Sequence, residues 1–160
     1  MAKVVIYRGD SDLSLKTDDQ TTYCYQIGVG RILGDKLINI NDSESLDEIT
    51  LSFRDDYVDW IYSLNSFFIK HKLIKDGLSL FFLSDLSNKR SELFDTYESL
   101  ANILLIKQQL RGIDIDVFEF IGVDRAFTGA IKSLYPKAII KCSRARPLRI
   151  SVGRRLMADA

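Results

Sequence analysis

Short β-branched runs alternate with helix-like spacings of apolar residues along the chain, and this alternation predicts an α/β fold. Residues 3–7 (KVVIY) predict a first buried strand, because β-branched side chains dominate it and a polar turn ends it. Residues 21–29 and 36–40 also have strand composition. Because a Gly-containing turn separates these two segments, we expect a small antiparallel group of N-terminal strands.

A long amphipathic helix is predicted over residues 54–74, after an acidic loop at 41–48. Its apolar side chains recur at spacings of three and four, so they are expected to share one buried face. These residues are Tyr57, Trp60, Ile61, Leu64, Phe67, Phe68 and His71. Asp55, Asp56 and Asp59 lie in its first turns, where the helix dipole favours anions.

The second half of the chain predicts a strand–helix–strand–helix–strand order within residues 78–142. Residues 78–83 (LSLFFL) are nearly all apolar, as in a strand covered on both faces. A helix over 91–111, a strand over 113–121 and a short helix after Asp124 precede a last strand over 138–142. This order favours a Rossmann-like, mostly parallel sheet in one domain, 1–142, followed by a basic tail or linker, 143–160.

Composition narrows the classes of function. The formal net charge is zero, which makes nucleic acid an unlikely partner. Two cysteines and one histidine do not provide a structural zinc site or a disulfide scaffold, and we expect two buried thiols, no metal and no cofactor. The absence of a signal peptide or an apolar run of membrane length predicts a cytoplasmic location.

The tail is rich in basic residues. Its arginines are Arg144, Arg146, Arg149, Arg154 and Arg155. They could contact a partner or an anionic lipid surface, which would make the protein peripheral to the inner membrane. A solvated tail without a partner is the alternative.

Ligands of open parallel sheets bind beyond the carboxyl ends of the strands. Residues 84–90 are the first candidate, because they follow a predicted strand and are dense in hydroxyls and charges. Ser84, Ser87, Lys89 and Arg90 could hold a phosphate or a sugar in front of the next helix. A solvated connection is the other interpretation of this segment.

Two further segments follow predicted strands. In residues 122–125, Asp124 could accept hydrogen bonds from a ligand hydroxyl beside Arg125, or it could cap its helix. In residues 8–12, Asp10 and Asp12 could bind a cation or act as a base, or the segment could form a turn. The chain has no G-x-G-x-x-G, Walker or G-x-S-x-G motif.

The stretch GLSLFFLSDLSNKRSELFDTYESLANILLIKQQL, followed by IDVFEFIGVDRAFTGAIKSLYP, resembles the N-terminal region of bacterial surface-carbohydrate biosynthesis proteins. That group is similar to two-Rossmann (GT-B) glycosyltransferases that handle Kdo or sialic acid. The resemblance implies an acceptor-side domain that works with a second domain, which would carry most of the nucleotide-sugar site. On this view the chain is a fragment, a split subunit or a degenerate relative.

The resemblance also implies a general base on a loop at the end of a strand. Asp85 is the first candidate for this catalytic role and Asp124 the second. The substrate would be a carbohydrate acceptor or a nucleotide sugar, and Ser84, Ser87, Lys89, Arg90 and Arg125 would contact it.

Two alternatives belong to other classes of protein. A non-catalytic interaction module, docking through its basic tail, ranks second. A ribonuclease H-like nuclease ranks third, since the order of elements and the acids after strands resemble that group. Its metal ligands would be Asp10 or Asp12, one of Asp55, Asp56 and Asp59, then Asp85 and Asp124.

Overall fold

The structure is a computed structural model that describes residues 2–16, 20–83 and 91–143, with the backbone alone at 83 and 91–94. The strands of these residues are β1 (Ala2–Arg8), β2 (Leu13–Ser14), β3 (Thr21–Ile27), β4 (Ile32–Leu33), β5 (Leu37–Asn39), β6 (Ile74–Lys75), β7 (Leu78–Ser79), β8 (Ile115–Ile121) and β9 (Ile139–Ser143). The helices are α1 (Ser43–Lys70), α2 (Ser91–Gln109) and α3 (Arg125–Leu134), with a 3₁₀ helix at Leu80–Leu83.

A central sheet of five parallel strands has the spatial order β5-β3-β1-β8-β9. Counted along the chain, the five strands therefore lie in the order 3-2-1-4-5, which is the order of a Rossmann fold. The predicted α/β class with a Rossmann-like parallel sheet is confirmed. Strand β1 lies at the centre, and Val4, Val5 and Ile6 are completely buried because both faces of this strand are covered.

The two faces of the sheet are covered in different ways. The helices pack on one face, where residues of α2 and α3 join Val4, Ile6 and Phe118 in the main hydrophobic core. On the other face, Val5, Tyr7 and Ile121 pack against apolar residues in strands β2 and β4 and next to β2. Strands β2 and β4 pair with each other. From β1 the chain moves to β3 and β5 in one direction along the sheet, and from there to β8 and β9 in the other direction. Because each crossover is right-handed, connections in opposite directions pass over opposite faces, which explains this division.

The N-terminal strands are parallel, and the antiparallel arrangement predicted for them is wrong. β1 pairs with β3, and β3 with β5, in parallel register. Residues 9–20 connect β1 to β3 and include β2, and residues 28–36 connect β3 to β5 and include β4. Connections of about a dozen residues are long enough to return the chain to the same edge of the sheet.

Residues 78–83 do not form the predicted buried strand. β6 and β7 form a small antiparallel hairpin, and a 3₁₀ helix follows it. The two residues of its turn, Asp76 and Gly77, both have positive φ (50° and 81°), as an Asp-Gly hairpin turn requires. Leu78 and Phe82 are each 57% exposed, whereas Phe81 is buried. Residues 78–83 therefore do not join the central sheet, in which β8 lies between β1 and β9.

Helix α1 begins at Ser43, eleven residues before its predicted start, within the segment expected to be an acidic loop. Asp42 is its N-cap, because the Ser45 N–H donates to Oδ1 (3.1 Å) and the Ser45 hydroxyl donates to Oδ2 (2.7 Å). These hydrogen bonds hold the pKa of Asp42 below its ordinary value. The first turns of the helix, residues 43–48, thus form where a predominance of acids suggested an irregular segment.

The apolar stripe predicted as the buried face of α1 is only partly covered. No residue of the helix is buried, and Trp60 and Phe67 are 47% and 52% exposed. Phe53 stacks on Tyr97 of α2, with ring centroids 4.9 Å apart, and the Tyr97 hydroxyl donates to the carbonyl of Thr50. The helix therefore packs along one narrow side.

The remaining predicted elements are present, with bounds shifted by a few residues. α2, β8, α3 and β9 follow one another as predicted. His71 caps α1, and its Nδ1 lies 2.8 Å from the Phe67 carbonyl oxygen. It is exposed, although the helical spacing assigned it to the buried face. Both cysteines are free, but only Cys24 is buried. Cys142 is exposed, because β9 is the edge strand of the sheet.

A buried hydrogen bond joins the sheet to α2. The Tyr25 hydroxyl in β3 donates to Oδ1 of Asn102, at 2.5 Å. Nδ2 of Asn102 in turn donates to the carbonyl of Glu98. Burial, and next the nearby charge of Glu98, raises the pKa of Tyr25 above its ordinary value, so the phenol keeps its proton.

We expect Tyr25→Phe to lower the free energy of unfolding by about 1–3 kcal/mol, because it leaves the buried Asn102 oxygen without a donor. Urea unfolding followed by circular dichroism measures this change. Tyr23→Phe, at a half-buried tyrosine of the same strand, is the matched control and should shift stability by less than about 0.5 kcal/mol. Equal effects of the two substitutions would show that the buried bond contributes nothing.

Candidate functional site

The strand order of the central sheet reverses between β1 and β8. After β1 the chain continues towards β3 on one side, and after β8 it continues towards β9 on the other. The loops that leave these two neighbouring strands therefore separate, which opens a crevice beyond their carboxyl ends. Ligands of Rossmann-like proteins bind at such a reversal.

An ion pair lies across this reversal. Nη1 of Arg8, the last residue of β1, is 3.1 Å from Oδ2 of Asp124, which follows β8. Nη2 of the same guanidinium donates to the hydroxyl of Ser99 in α2, at 3.4 Å. The Arg8 and Asp124 side chains are 32% and 48% exposed, so solvent and ligands can reach both. Three elements thus bring one cation, one anion and one hydroxyl together at the edge of the sheet.

Asp124 also caps α3, as one of the two sequence interpretations predicted. The Phe127 N–H donates to its Oδ1 at 2.8 Å, and the Thr128 hydroxyl donates to its backbone carbonyl at 2.9 Å. Oδ1 therefore serves the helix, while Oδ2 faces Arg8. Arg125, the first residue of α3, is exposed. The cap thus uses one carboxylate oxygen, and the ion pair with Arg8 uses the other.

The loop after β1 is held against the loop after β3. The Gly30 N–H donates to the Gly9 carbonyl at 2.9 Å, and the Arg31 N–H donates to Oδ1 of Asp12 at 3.0 Å. A Cβ atom at Gly30 would lie 2.5 Å from the Ser11 carbonyl oxygen. Of the two interpretations of residues 8–12, the structure thus favours the turn, in which Asp12 positions the loop.

Five predicted site residues lie outside the described part of the chain: Ser84, Asp85, Ser87, Lys89 and Arg90. The tail arginines also lie outside it, namely Arg144, Arg146, Arg149, Arg154 and Arg155. Their roles stay predictions. Ser99 of α2 reaches Arg8, so the N-terminal half of α2 lies at the carboxyl edge of the sheet.

The nuclease hypothesis needs a cluster of carboxylates. Asp55, Asp56 and Asp59 are exposed on α1. Within residues 2–16, 20–83 and 91–143, no group of three histidine, cysteine or acidic side chains could hold a metal ion. In the same residues no helix has the length and apolarity needed to cross a membrane.

A depression of about 850 Å³ lies at the opposite edge of the sheet, between the C-terminal ends of α2 and α3. Lys107, Arg111 and Tyr135 are among its lining residues. It is wide and open, and it lies at the amino ends of the strands, away from the reversal of strand order. We therefore place the candidate site at Arg8, Ser99 and Asp124.

Sequence reasoning found Asp124 but missed the partners of its carboxylate. Arg8 lies in the candidate segment 8–12, but the sequence prediction names only the carboxylates of that segment as site residues. Its position directly after a buried strand was the available signal. Ser99 gave no signal, because only packing places the middle of α2 beside the end of β1.

Comparisons of the chain with protein-family models, with curated proteins and with solved structures found no significant match in any of the three. The strand order and the Arg8–Asp124 pair therefore carry the functional argument.

Gly30→Ala should lower the free energy of unfolding by more than about 1 kcal/mol, because the added methyl group would overlap backbone atoms of the neighbouring loop. Gly129→Ala is the matched control. Nothing lies within 4 Å of a Cβ at Gly129, which is inside α3, so this substitution should raise stability by about 0.5–1 kcal/mol. Urea unfolding distinguishes the two signs, and a Gly30→Ala variant as stable as the unmodified chain would contradict the loop contact.

Substitutions at Asp124 separate its two roles. Asp124→Ala removes the cap and the ion pair and should cost about 1 kcal/mol of stability. Asp124→Asn keeps a capping oxygen and should lower the free energy of unfolding by only about 0.3 kcal/mol, because the half-exposed ion pair contributes little. Thermal and urea unfolding measure both variants. An Asn variant as unstable as the Ala variant would show that the ion pair dominates.

Proposed function

We propose that the chain is a sugar-binding, Rossmann-like domain of the glycosyltransferase type, and that it provides the acceptor side of a surface-carbohydrate enzyme. One observation carries the proposal, namely that Arg8 and Asp124 meet where the strand order reverses. The resemblance of residues 77–136 to surface-carbohydrate biosynthesis proteins is the reason to name a sugar as the ligand.

The chemistry of the site suits a sugar acid. A guanidinium has a planar set of donors that matches a carboxylate, and the exposed part of Arg8 can offer it to a ligand. A carboxylate accepts hydrogen bonds from sugar hydroxyls, and a serine hydroxyl both donates and accepts. Asp124 and Ser99 supply these groups within reach of the same arginine.

In this proposal the acceptor hydroxyl loses its proton to a carboxylate at the edge of the sheet. Asp85 remains the first candidate for the general base and Asp124 the second. Ser84, Ser87, Lys89, Arg90 and Arg125 complete the substrate contacts. A second domain, carrying the nucleotide sugar, would face the same edge.

The test is binding of sugar acids, measured by isothermal titration calorimetry and by NMR shift changes. The ligands are Kdo, N-acetylneuraminic acid and, as a neutral comparison, lactose. We expect the acids to bind and lactose to bind more weakly. Arg8→Gln should raise the dissociation constant of the acids at least about tenfold, since it removes a charge-assisted hydrogen bond worth about 1.5–3 kcal/mol.

Lys3→Gln provides the matched control. Lys3 pairs with Glu119 at 2.7 Å between the same two strands, on the face opposite to the helices. The substitution Lys3→Gln removes one positive charge from the same strand pair, but away from the proposed site. Sugar-acid binding that falls equally in both variants, or no binding by the unmodified chain, would overturn the proposal.

A further inference from the structure

Helix α1 presents a second apolar stripe, which faces away from the other described parts of the chain. Its four large side chains are Leu51, Val58, Tyr62 and Ile69. They are between 44% and 69% exposed. Their spacings of seven, four and seven residues place them along one line of the helix, as in the seam of a coiled coil. We call these four residues the outer seam.

The outer seam is distinct from the side of α1 that packs on its own chain. That inner side includes Phe53, which stacks on Tyr97, and Phe68, whose ring lies 6.0 Å from Phe81. Phe53 and Phe68 are half-buried, whereas all members of the outer seam are exposed. An exposed row of large apolar side chains on a surface indicates an interface. With 28 residues, α1 is about 42 Å long and can offer a long one.

Charge is segregated along α1 and the turn that follows it. Exposed acids occupy the helix from its start to its middle: Glu44, Asp47, Glu48, Asp55, Asp56 and Asp59. Arg54 is the exception among them. Exposed lysines follow at the far end: Lys70, Lys72 and Lys75. Two such helices side by side in the same direction would place like charges together, whereas opposite directions place the acids near the start of one helix against the lysines that follow the end of the other.

We propose that a second copy of this chain covers the outer seam, and that the two α1 helices pair antiparallel about a twofold axis near residue 60. In this register Leu51 contacts Ile69 of the partner subunit, and Val58 contacts Tyr62 of the partner subunit. The same register places Glu48 beside Lys72 of the partner subunit. Every exposed apolar residue of the seam then meets an apolar one, and each contact occurs twice, as in any twofold interface.

The charge pattern favours a second copy over a lipid surface. A helix that lies on an anionic membrane has lysines and arginines on its polar face. Here, acids flank the first half of the seam, and an anionic surface would repel them. The interface uses α1 and lies outside the Arg8–Asp124 site, so it does not depend on the proposed function.

The first test is the mass of the full chain in solution, measured by sedimentation velocity over a range of concentrations. We expect a dimer. Tyr62→Glu should raise the dimer dissociation constant at least about tenfold, because the charge enters the seam twice. Leu33→Glu is the matched control, since Leu33 is also exposed but lies in β4 on the opposite face, and it should remain a dimer.

Circular dichroism checks that the variants fold. A chain that stays monomeric at its highest attainable concentration would overturn the proposal. A monomer that co-sediments with phosphatidylserine vesicles would overturn it in favour of a lipid surface. A dimer that Tyr62→Glu leaves intact while remaining folded would also overturn it.

A charge exchange tests the antiparallel direction. Lys72→Glu places two acids together and should weaken the dimer at least about threefold, and adding Glu48→Lys should restore it, because opposite charges then face each other again. A double variant as weak as the single one would contradict the register.

Disulfide crosslinking tests the same direction independently. In a Cys142→Ser background, which removes the exposed thiol, Leu51→Cys chains mixed with Ile69→Cys chains should crosslink on oxidation. Leu51→Cys chains alone should not. Crosslinking of Leu51→Cys chains with each other would indicate parallel helices and would overturn the proposal.

Discussion

The fold depends on the burial of β1 between two strands and two covered faces. Val4, Val5 and Ile6 have no exposed surface, and β3 and β8 occupy both edges of the strand. A strand in this position satisfies its backbone hydrogen bonds on both sides, and its side chains must be apolar on both faces. The run KVVIY meets that requirement, and the other elements arrange themselves around it.

The position of β1 also explains where the candidate site lies. Because β3 and β8 flank it, the chain must leave β1 in one direction and β8 in the other, and right-handed crossovers then lead to opposite faces. The carboxyl ends of these strands are left open between the diverging loops. Polar groups can collect there without losing water, and Arg8 and Asp124 do so while remaining partly exposed.

The unequal cover of the two faces has a consequence for α1. Helices α1, α2 and α3 share one face of the sheet, where the core is narrow. Helix α1 contacts this core mainly through its first half, where Leu46 and Ile49 pack against it. The second half packs on α2 and the 3₁₀ helix along one side. Apolar residues on its other sides stay exposed, which is why a stripe that periodicity assigns to the core is only partly buried.

Local patterns in the sequence determined most of the elements. β-branched runs predicted β1, β3, β8 and β9, and apolar periodicity with good capping residues predicted α2 and α3, because local preferences and the final contacts agree there. Residues 78–83 show the limit of this reasoning. Their apolar run suits a buried strand, but the Asp-Gly turn before it, with both φ angles positive, directs the chain into a hairpin.

Only the tertiary structure decided strand direction, the burial of α1 and the partners of Asp124. The pairing of β1 with β3 depends on β2 and β4, whose two-residue length leaves almost no pattern in the sequence. The contact between Arg8 and Asp124 joins residues separated by 116 positions. Periodicity reports which side of an element is apolar, but contacts between distant segments decide whether that side is covered, and no local pattern encodes them.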